Sequence, residues 1–379
     1  MKKRIPAIVL MSVFLSIFIF FITACGNQDT PEQTYMGFQP GTYGSGDLTI
    51  HFLELGNKYT GDCVYINYGD LDIIIDAGSK QDSAATIIAY INEHIKDNKL
   101  EYVIATHAHE DHIAGFTSWS YGTLYEKTGI LDYYDVDLII DFPKTNSNTA
   151  TYTNYRSARS RAVAKGTTHY TALQCYRNQD GARRVYNLDL QGNVKLEILY
   201  NYYYENNSSN ENEYSVCIRI TQGDNKYIFT GDLEKAGEDW LVSYYETNHG
   251  GLGHSVLYKG GHHGSNTSSN IDLMKAISPE YVCVCTCMAN YEYKFNSPTA
   301  RFPGQGFIDR VAPYTDEIYL TTLIESEDAW NANQFVSFNG NIVFIQKNNI
   351  VSINCSNNNI KLKDTAWFEE NRKWPDNGK

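Results

Sequence analysis

The amino-acid sequence predicts an α/β fold, and three observations carry that prediction. Short β-branched runs recur along the chain, bounded by Gly, Asn and Asp, as strands bounded by turns are. One such run ends at Asp76 and is followed by a helical pattern and then a second apolar run at residues 101–105, the order of a strand–helix–strand crossover. Residues able to do chemistry gather just past the ends of these runs, at Asp76, at His107 to His112, at Asp232 and at His262-His263. Open α/β sheets place their sites at the carboxyl ends of strands.

Taken in order, residues 48–55 read as a first strand, 63–67 as a second and 72–76 as a third, with Gly69-Asp70 as the hairpin between the last two. Residues 83–96 set Ala84, Ile87, Ile88, Ile91 and Ile95 on one helical face. Residues 101–106 return as a strand, and Ile113-Ala114-Gly115 reads as the start of a helix. Residues 136–140 read as a strand and 155–165 as a basic helix. Arg156, Arg159, Arg161 and Lys165 on that helix read as a solvated face, with a phosphate-bearing substrate as the alternative partner. His169 just beyond reads as a surface residue. Strands follow at 194–200, 215–220 and 226–230, the last two as a hairpin around Gly223-Asp224, and then a helix over 233–245. A strand over 254–259 runs into Gly260-Gly261-His262-His263-Gly264-Ser265. Later strands are expected at 281–287, 317–322, 342–346 and 350–354, with Trp367, Phe368 and Trp374 docking the carboxyl tail.

Composition narrows the class. The 379 residues are 42% hydrophobic and 20% charged, enough for one large globular domain. The net charge of −13 argues against a broad nucleic-acid-binding face, which should be basic. It leaves room for a phosphate group held through metal ions. Lys2, Lys3 and Arg4 precede an almost wholly apolar stretch, which ends in Ile22-Thr23-Ala24-Cys25. Small residues before a cysteine resemble a bacterial lipobox, so residues 1–24 read as a removable signal peptide and Cys25 as the lipidated residue. An uncleaved membrane anchor is the rival reading. Residues 25–46 read as a flexible tether, 47–355 as the folded domain and 356–379 as a tail. The domain is thereby expected at the outer face of the cytoplasmic membrane, anchored to it through Cys25. Of eight cysteines, seven remain, and an odd number cannot all pair internally. Cys283, Cys285 and Cys287 share one strand face and read as small buried residues, with a thiolate metal site as the rival.

The chemistry centres on Thr106-His107-Ala108-His109-Glu110-Asp111-His112, an H-x-H-x-D-H run. Imidazoles and a carboxylate together suit zinc, and manganese or iron less specifically. His107 and His109 are two apart, so an extended backbone points them the same way. Asp111 and His112, after the chain turns, face a second metal next door. Asp76 is either a turn cap or an acceptor that orients metal ligands from behind. His262-His263 between glycines allows close backbone approach with the rings turned inward.

Asp76, the H-x-H-x-D-H run, Asp232 and His262-His263 come in the order found in the metallo-β-lactamase superfamily, which the chain resembles over roughly residues 48–354. More narrowly, it resembles the extracytoplasmic hydrolase domain of ComEC-type competence proteins. Leu53-Glu54-Leu55-Gly56 with Gly61-Asp62, Asn212-Glu213-Tyr214-Ser215, Thr230-Gly231-Asp232 and His262 to Ser265 carry that likeness. The resemblance implies a four-layered αββα sandwich with two divalent cations at one edge, zinc or alternatively manganese. His107 and His109 would hold the first cation. Asp111, His112 and one of His262 or His263 would hold the second, with Asp232 bridging. Asp76, Asn212 and Ser215 would stand behind the ligands. Many relatives give the first cation a third histidine, where this chain has Asn212-Glu213-Tyr214-Ser215, so that seat is expected to be ligand-poor and weakly occupied. His249 and His254 read as surface residues, with a place in that seat as the alternative.

The function so implied is hydrolysis by water activated between the cations. Asp111 would bind metal and accept a proton, while His263 and Ser265 would contact substrate or assist the leaving group. A phosphodiester substrate, in nucleic acid or a wall polymer, is the first expectation. β-Lactam, lactone or other ester hydrolysis and a non-catalytic binding lipoprotein on the same fold are the alternatives.

Overall fold

A computed structural model describes residues 46–379 except 57–59, 79, 81, 122–124, 190, 290–300, 325–334 and 348–349. The signal segment, Cys25 and nearly all of the tether lie outside the described residues. Among the described residues, no helix is long and apolar enough to cross a membrane.

Two eight-stranded sheets form the middle of the structure. The first runs, edge to edge, Ile350–Cys355, Ile342–Lys347, Leu48–Phe52, Val64–Tyr68, Leu71–Ile75, Lys99–Ala105, Asp135–Asp141 and Thr168–Thr171. The second runs Phe335–Ser337, Ile318–Ile324, Tyr281–Met288, Leu257–Lys259, Asn225–Phe229, Ile218–Gln222, Val194–Ile198 and Val185–Asn187. Side chains alternate across a strand, and this alternation assigns the faces. On Tyr281–Met288, Cys283 and Cys285 join the core shared with the first sheet, while Val282 and Val284 join a separate core with the helices. Tyr227 and Tyr281 of the second sheet reach Phe344 of the first, with ring centroids 5.5 and 5.9 Å apart. Helix Ser83–Ile91 covers the far face of the first sheet, where Tyr90 meets His51. Helices Lys235–His249, Ile271–Ile277 and Gln305–Val311 cover the far face of the second through Leu241, Leu273, Ile308 and their neighbours. The layers are therefore helix, sheet, sheet, helix, the αββα sandwich expected.

Most elements fall where the residues place them, and the departures have local causes. The basic helix begins earlier than expected, at Ala150, because the Thr149 hydroxyl accepts the Tyr152 amide and caps it. Its cations are not a uniformly solvated face. Arg159 reaches the fully buried Asp141, which also takes Tyr155 Oη and His169 Nε2, and Arg161 pairs with Asp132. The helix expected to reach residue 96 ends at Ile91 and continues as turns. The seven described cysteines are all buried and unpaired, and the groupings of metal-ligand side chains among the described residues contain none of them. The tail docks through Phe368, with Trp367 and Trp374 packed against the same core.

Candidate metal centre

The strands Leu71–Ile75 and Lys99–Ala105 run parallel, so their carboxyl ends open on the same edge of the first sheet. Past the first, Asp76 adopts a left-handed backbone with φ of 59°, a conformation that non-glycine residues rarely hold. Its carboxylate accepts the Thr106 amide and hydroxyl, both at 2.7 Å, which fixes the start of the histidine run. Past the second strand, His109 is extended, and the short helix Glu110–Ile113 then turns Asp111 and His112 back toward the sheet edge. From the second sheet, Thr230 leads to Asp232, and Leu257–Lys259 leads to the two histidines. His262 and His263 are both left-handed, with φ of 44° and 54°. Gly260 makes this approach feasible, because a Cβ there would stand 2.8 Å from Val284 Cγ2.

These segments converge. Asp111, His112, Asp232 and His263 each offer a ligand atom, and those atoms lie within 4.8 Å of one another. His263 Nε2 is 3.2 Å from Asp111 Oδ2 and 3.3 Å from Asp232 Oδ2, and His112 Nε2 is 3.1 Å from Asp232 Oδ2. Each ring is held from behind. His112 Nδ1 is 2.7 Å from Asp76 Oδ2, and His263 Nδ1 is 3.0 Å from the Cys285 carbonyl. Such partners fix a ligand's tautomer and aim its other nitrogen. Beside this group, His107 Nε2 and His109 Nδ1 are 3.0 Å apart, close enough for two nitrogens to share one ion. The His107 and His112 rings are 4.1 Å apart, centre to centre, which makes the two ligand groups contiguous.

The charges suit cations. Burial works against a charge on His112 and His263, yet the surrounding carboxylates outweigh it and hold both well above the ordinary histidine range, so the site favours a positive charge at each ring that a bound cation would supply in place of the Nε2 proton. Burial, with His112 and His109 alongside, pushes His107 toward its neutral, ligating form. Asp232 is buried too, but His112, His263 and His262 keep its carboxyl well below the usual range. Its Oδ1 finds no donor among the described residues. Buried oxygens without donors, ionised carboxylates and back-held imidazoles are the donor set of a divalent cation site, so the residues present fit the group.

The paired histidines separate in role. His263 joins the four-ligand group, whereas His262 turns Nδ1 to Thr267 Oγ1 at 2.9 Å and keeps Nε2 3.8 Å from Asp232 Oδ2. Ser265 is buried, and its hydroxyl bonds Thr267 Oγ1 and accepts the Thr267 amide, which steadies the turn carrying His262. Ser215 Oγ accepts the Asp232 amide at 3.1 Å, and Asn212 Nδ2 donates to Glu234 Oε1 at 2.8 Å. Asp111 is the member of the four-ligand group that reaches solvent, its side chain 31% exposed. His249 and His254 do not take part. His249 packs on Tyr244 and Tyr245, and His254 pairs with Glu280 at the surface.

Two charged residues here escaped the sequence reading as site residues. Asp62 sits 3.2 Å from His263 Nδ1, and Lys259, 2% exposed, forms an ion pair with Asp62. Lys259 closes a strand, where a lysine ordinarily reads as a solvated end. Gly61-Asp62 carried a signal only as part of a family-like segment.

A family model described as the Metallo-beta-lactamase superfamily matches residues 56–121, which include Asp62, Asp76 and the histidine run. Over 86 residues the chain is 38% identical to "Competence protein ComA" of Neisseria gonorrhoeae, an alignment covering 23% of this chain and only 12% of that protein. Among solved structures it is similar to the metallo-beta-lactamase fold protein YhfI from Bacillus subtilis, at 10% identity and a TM-score of 0.42, over 79% of this chain and 100% of that one. It is also similar to CmlA, a diiron beta-hydroxylase from Streptomyces venezuelae, at 12% identity and a TM-score of 0.37, over 65% and 46% of the two chains. Residues 56–121 thus match the metallo-beta-lactamase superfamily model, and they are set in an αββα sandwich that gathers the candidate metal ligands at one edge.

Proposed function

We propose that this protein is a metal-dependent hydrolase of phosphodiesters, held at the outer face of the cytoplasmic membrane through a lipidated Cys25. The observation that carries the hydrolase reading is the convergence of Asp111, His112, Asp232 and His263 from both sheets onto one point. The match to a competence protein supports the choice of a phosphate ester, in nucleic acid or a wall polymer, over a β-lactam or lactone. The lipobox-like Ile22-Thr23-Ala24-Cys25 supports the location.

Two bound divalent cations, zinc or manganese, would acidify a water between them and neutralise charge on the attacked group. The chain's own residues do the rest. His107 and His109 would hold one cation, and Asp111, His112 and His263 the other, with Asp232 between. Asp76 keeps the Nδ1 proton of His112 in place, so Nε2 keeps its lone pair for the cation. Asp111 is held ionised by His112 and His263 and is partly open to solvent, so it meets an incoming substrate as a charged carboxylate.

The test is turnover of an activated phosphodiester and of a chromogenic β-lactam by the purified protein, with His107→Ala as control. Metal-dependent cleavage of the phosphodiester alone, lost in the variant, is the expected result. Turnover of the β-lactam alone contradicts the substrate class, and turnover of neither contradicts the hydrolase reading.

A further inference from the structure

We propose that a strip of aromatic rings on the second sheet's helical layer, built on Trp240 and Tyr202, is a binding site for a neutral saccharide chain. The proposal goes beyond the hydrolase reading and does not depend on it, because its test reads binding and not turnover.

The strip lies where helix Lys235–His249 meets the turn Tyr202–Tyr204 and the helix Ala172–Arg177. Tyr202 stacks on Trp240 with ring centroids 4.4 Å apart and planes 7° from parallel. Such a stack covers one face of each ring, yet Trp240 is still 49% exposed. Tyr244 follows Trp240 by four residues and so extends the same face of the helix. Its ring lies 4.4 Å from that of Tyr200, its hydroxyl bonds that of Tyr176, and the Tyr176 and Tyr200 rings are 4.9 Å apart. Tyr176, Tyr200, Tyr202 and Tyr244 are all partly exposed.

The rings are held in place by buried neighbours. Asn201, fully buried, donates to the Glu213 and Ser215 carbonyls and accepts the Tyr203 amide. Tyr204, 1% exposed, accepts the Cys217 amide at 3.0 Å. Tyr202 therefore stands on a turn anchored at both ends, and Trp240 on a regular helix, so little ordering is left for a ligand to impose.

The chemistry of the strip selects its occupant. An aromatic face is negative and takes the C–H face of a pyranose ring, while tyrosine hydroxyls and the Trp240 indole N–H are polar handles for its hydroxyl groups. The cations beside the rings are neutralised. Arg184 lies over Tyr176 and pairs with Glu197, and Arg177 pairs with Glu205, which also accepts the Tyr200 hydroxyl. A groove for single-stranded nucleic acid tracks the phosphates with free cations between its aromatic rings. Paired cations in a chain of net charge −13 favour an uncharged polymer instead.

The experiment is calorimetric titration of the full chain with two neutral β-1,4-linked hexasaccharides, one of glucose and one of N-acetylglucosamine, and with an oligothymidylate. It is run on the unaltered protein, Trp240→Ala, Tyr202→Ala and Trp240→Phe, each checked for folding by circular dichroism. The unaltered chain should bind at least one hexasaccharide and bind the oligothymidylate more weakly. Trp240→Ala and Tyr202→Ala should each weaken saccharide binding by about 10-fold, and Trp240→Phe should restore most of it. Binding of neither saccharide, or folded alanine variants that bind as tightly as the unaltered chain, overturns the inference. An oligothymidylate that binds more tightly than both saccharides, and loses affinity in Trp240→Ala, assigns the strip to nucleic acid and overturns it too. So does a dimer in sedimentation that Trp240→Ala dissolves, which assigns the strip to a second copy of the chain.

Discussion

His112 and Asp76 meet at 2.7 Å, Nδ1 to Oδ2, fully buried on both sides. The contact joins the end of one parallel strand to the loop after its neighbour, and it aims His112 Nε2 at Asp232. A carboxylate behind an imidazole both orients the ring and strengthens it as a donor to metal. Asp76→Asn keeps the shape and removes the charge. It is expected to weaken the second cation's affinity about 10- to 100-fold, with the two-sheet fold retained. An unchanged dissociation constant by calorimetry would show that Asp76 serves only the Thr106 turn.

Lys259 and Asp62 form a buried ion pair against His263. Lys259 Nζ also lies 3.4 Å from the Gly231 and Gly260 carbonyls, which bracket the loops bearing Asp232 and His262. Removing one member of such a pair strands the other charge, at a cost of about 3–5 kcal/mol. Lys259→Met is therefore expected to lower urea stability by that amount in the metal-free protein. The double change Lys259→Met with Asp62→Asn should recover most of the loss. If the double variant is no more stable than the single one, the pair is not what Lys259 contributes.

Gly115 donates its amide to the Ala77 carbonyl at 2.9 Å, and a Cβ on Gly115 would stand 2.1 Å from that same oxygen. The one-turn helix Ala114–Phe116, which follows the histidine-bearing helix, therefore packs directly on the backbone that follows Asp76. Gly115→Ala is expected to cost about 1–3 kcal/mol by overpacking and to loosen the Asp76–His112 contact. Equilibrium denaturation together with metal titration reads both effects. Wild-type values in both would mean that the two loops separate without consequence.

His51, fully buried, and His94, half-buried, face each other with ring centroids 4.9 Å apart. His51 is bonded to Tyr90 Oη and Thr49 Oγ1, each at 2.7 Å. Burial holds both rings below their ordinary pKa of 6.5, His94 at about 4. Between those limits the unfolded chain binds protons that the folded one refuses. Stability is therefore full above pH 6.5 and declines as pH falls toward 4. In metal-free protein, His94→Phe should flatten the fall of Tm across this window. An equal slope in the variant would place the acid sensitivity elsewhere.

How much of this was legible in the sequence varies with the physics behind each element. Strands such as Leu71–Ile75 and Tyr281–Met288 are legible because burial on one or both faces demands β-branched or apolar side chains in order. Asp76 and Asp232 are legible as acids at the ends of such strands, and the histidine run through its spacing. Lys259 is not, because a cation's burial depends on a partner, Asp62, set far back in the chain. Arg159 reads as a surface residue for the same reason, since its acceptor Asp141 lies on a strand beneath the helix. The division of labour between His262 and His263 rests on two left-handed residues in succession, which no spacing rule encodes.

The central claim is that two sheets bring separate histidine and carboxylate groups together to hold two cations. Counting divalent ions retained per chain, in the unaltered protein and in His107→Ala and His263→Ala, addresses it most directly. Two equivalents are expected in the first, with each variant losing one. No retained metal, or two equivalents in both variants, would contradict the account.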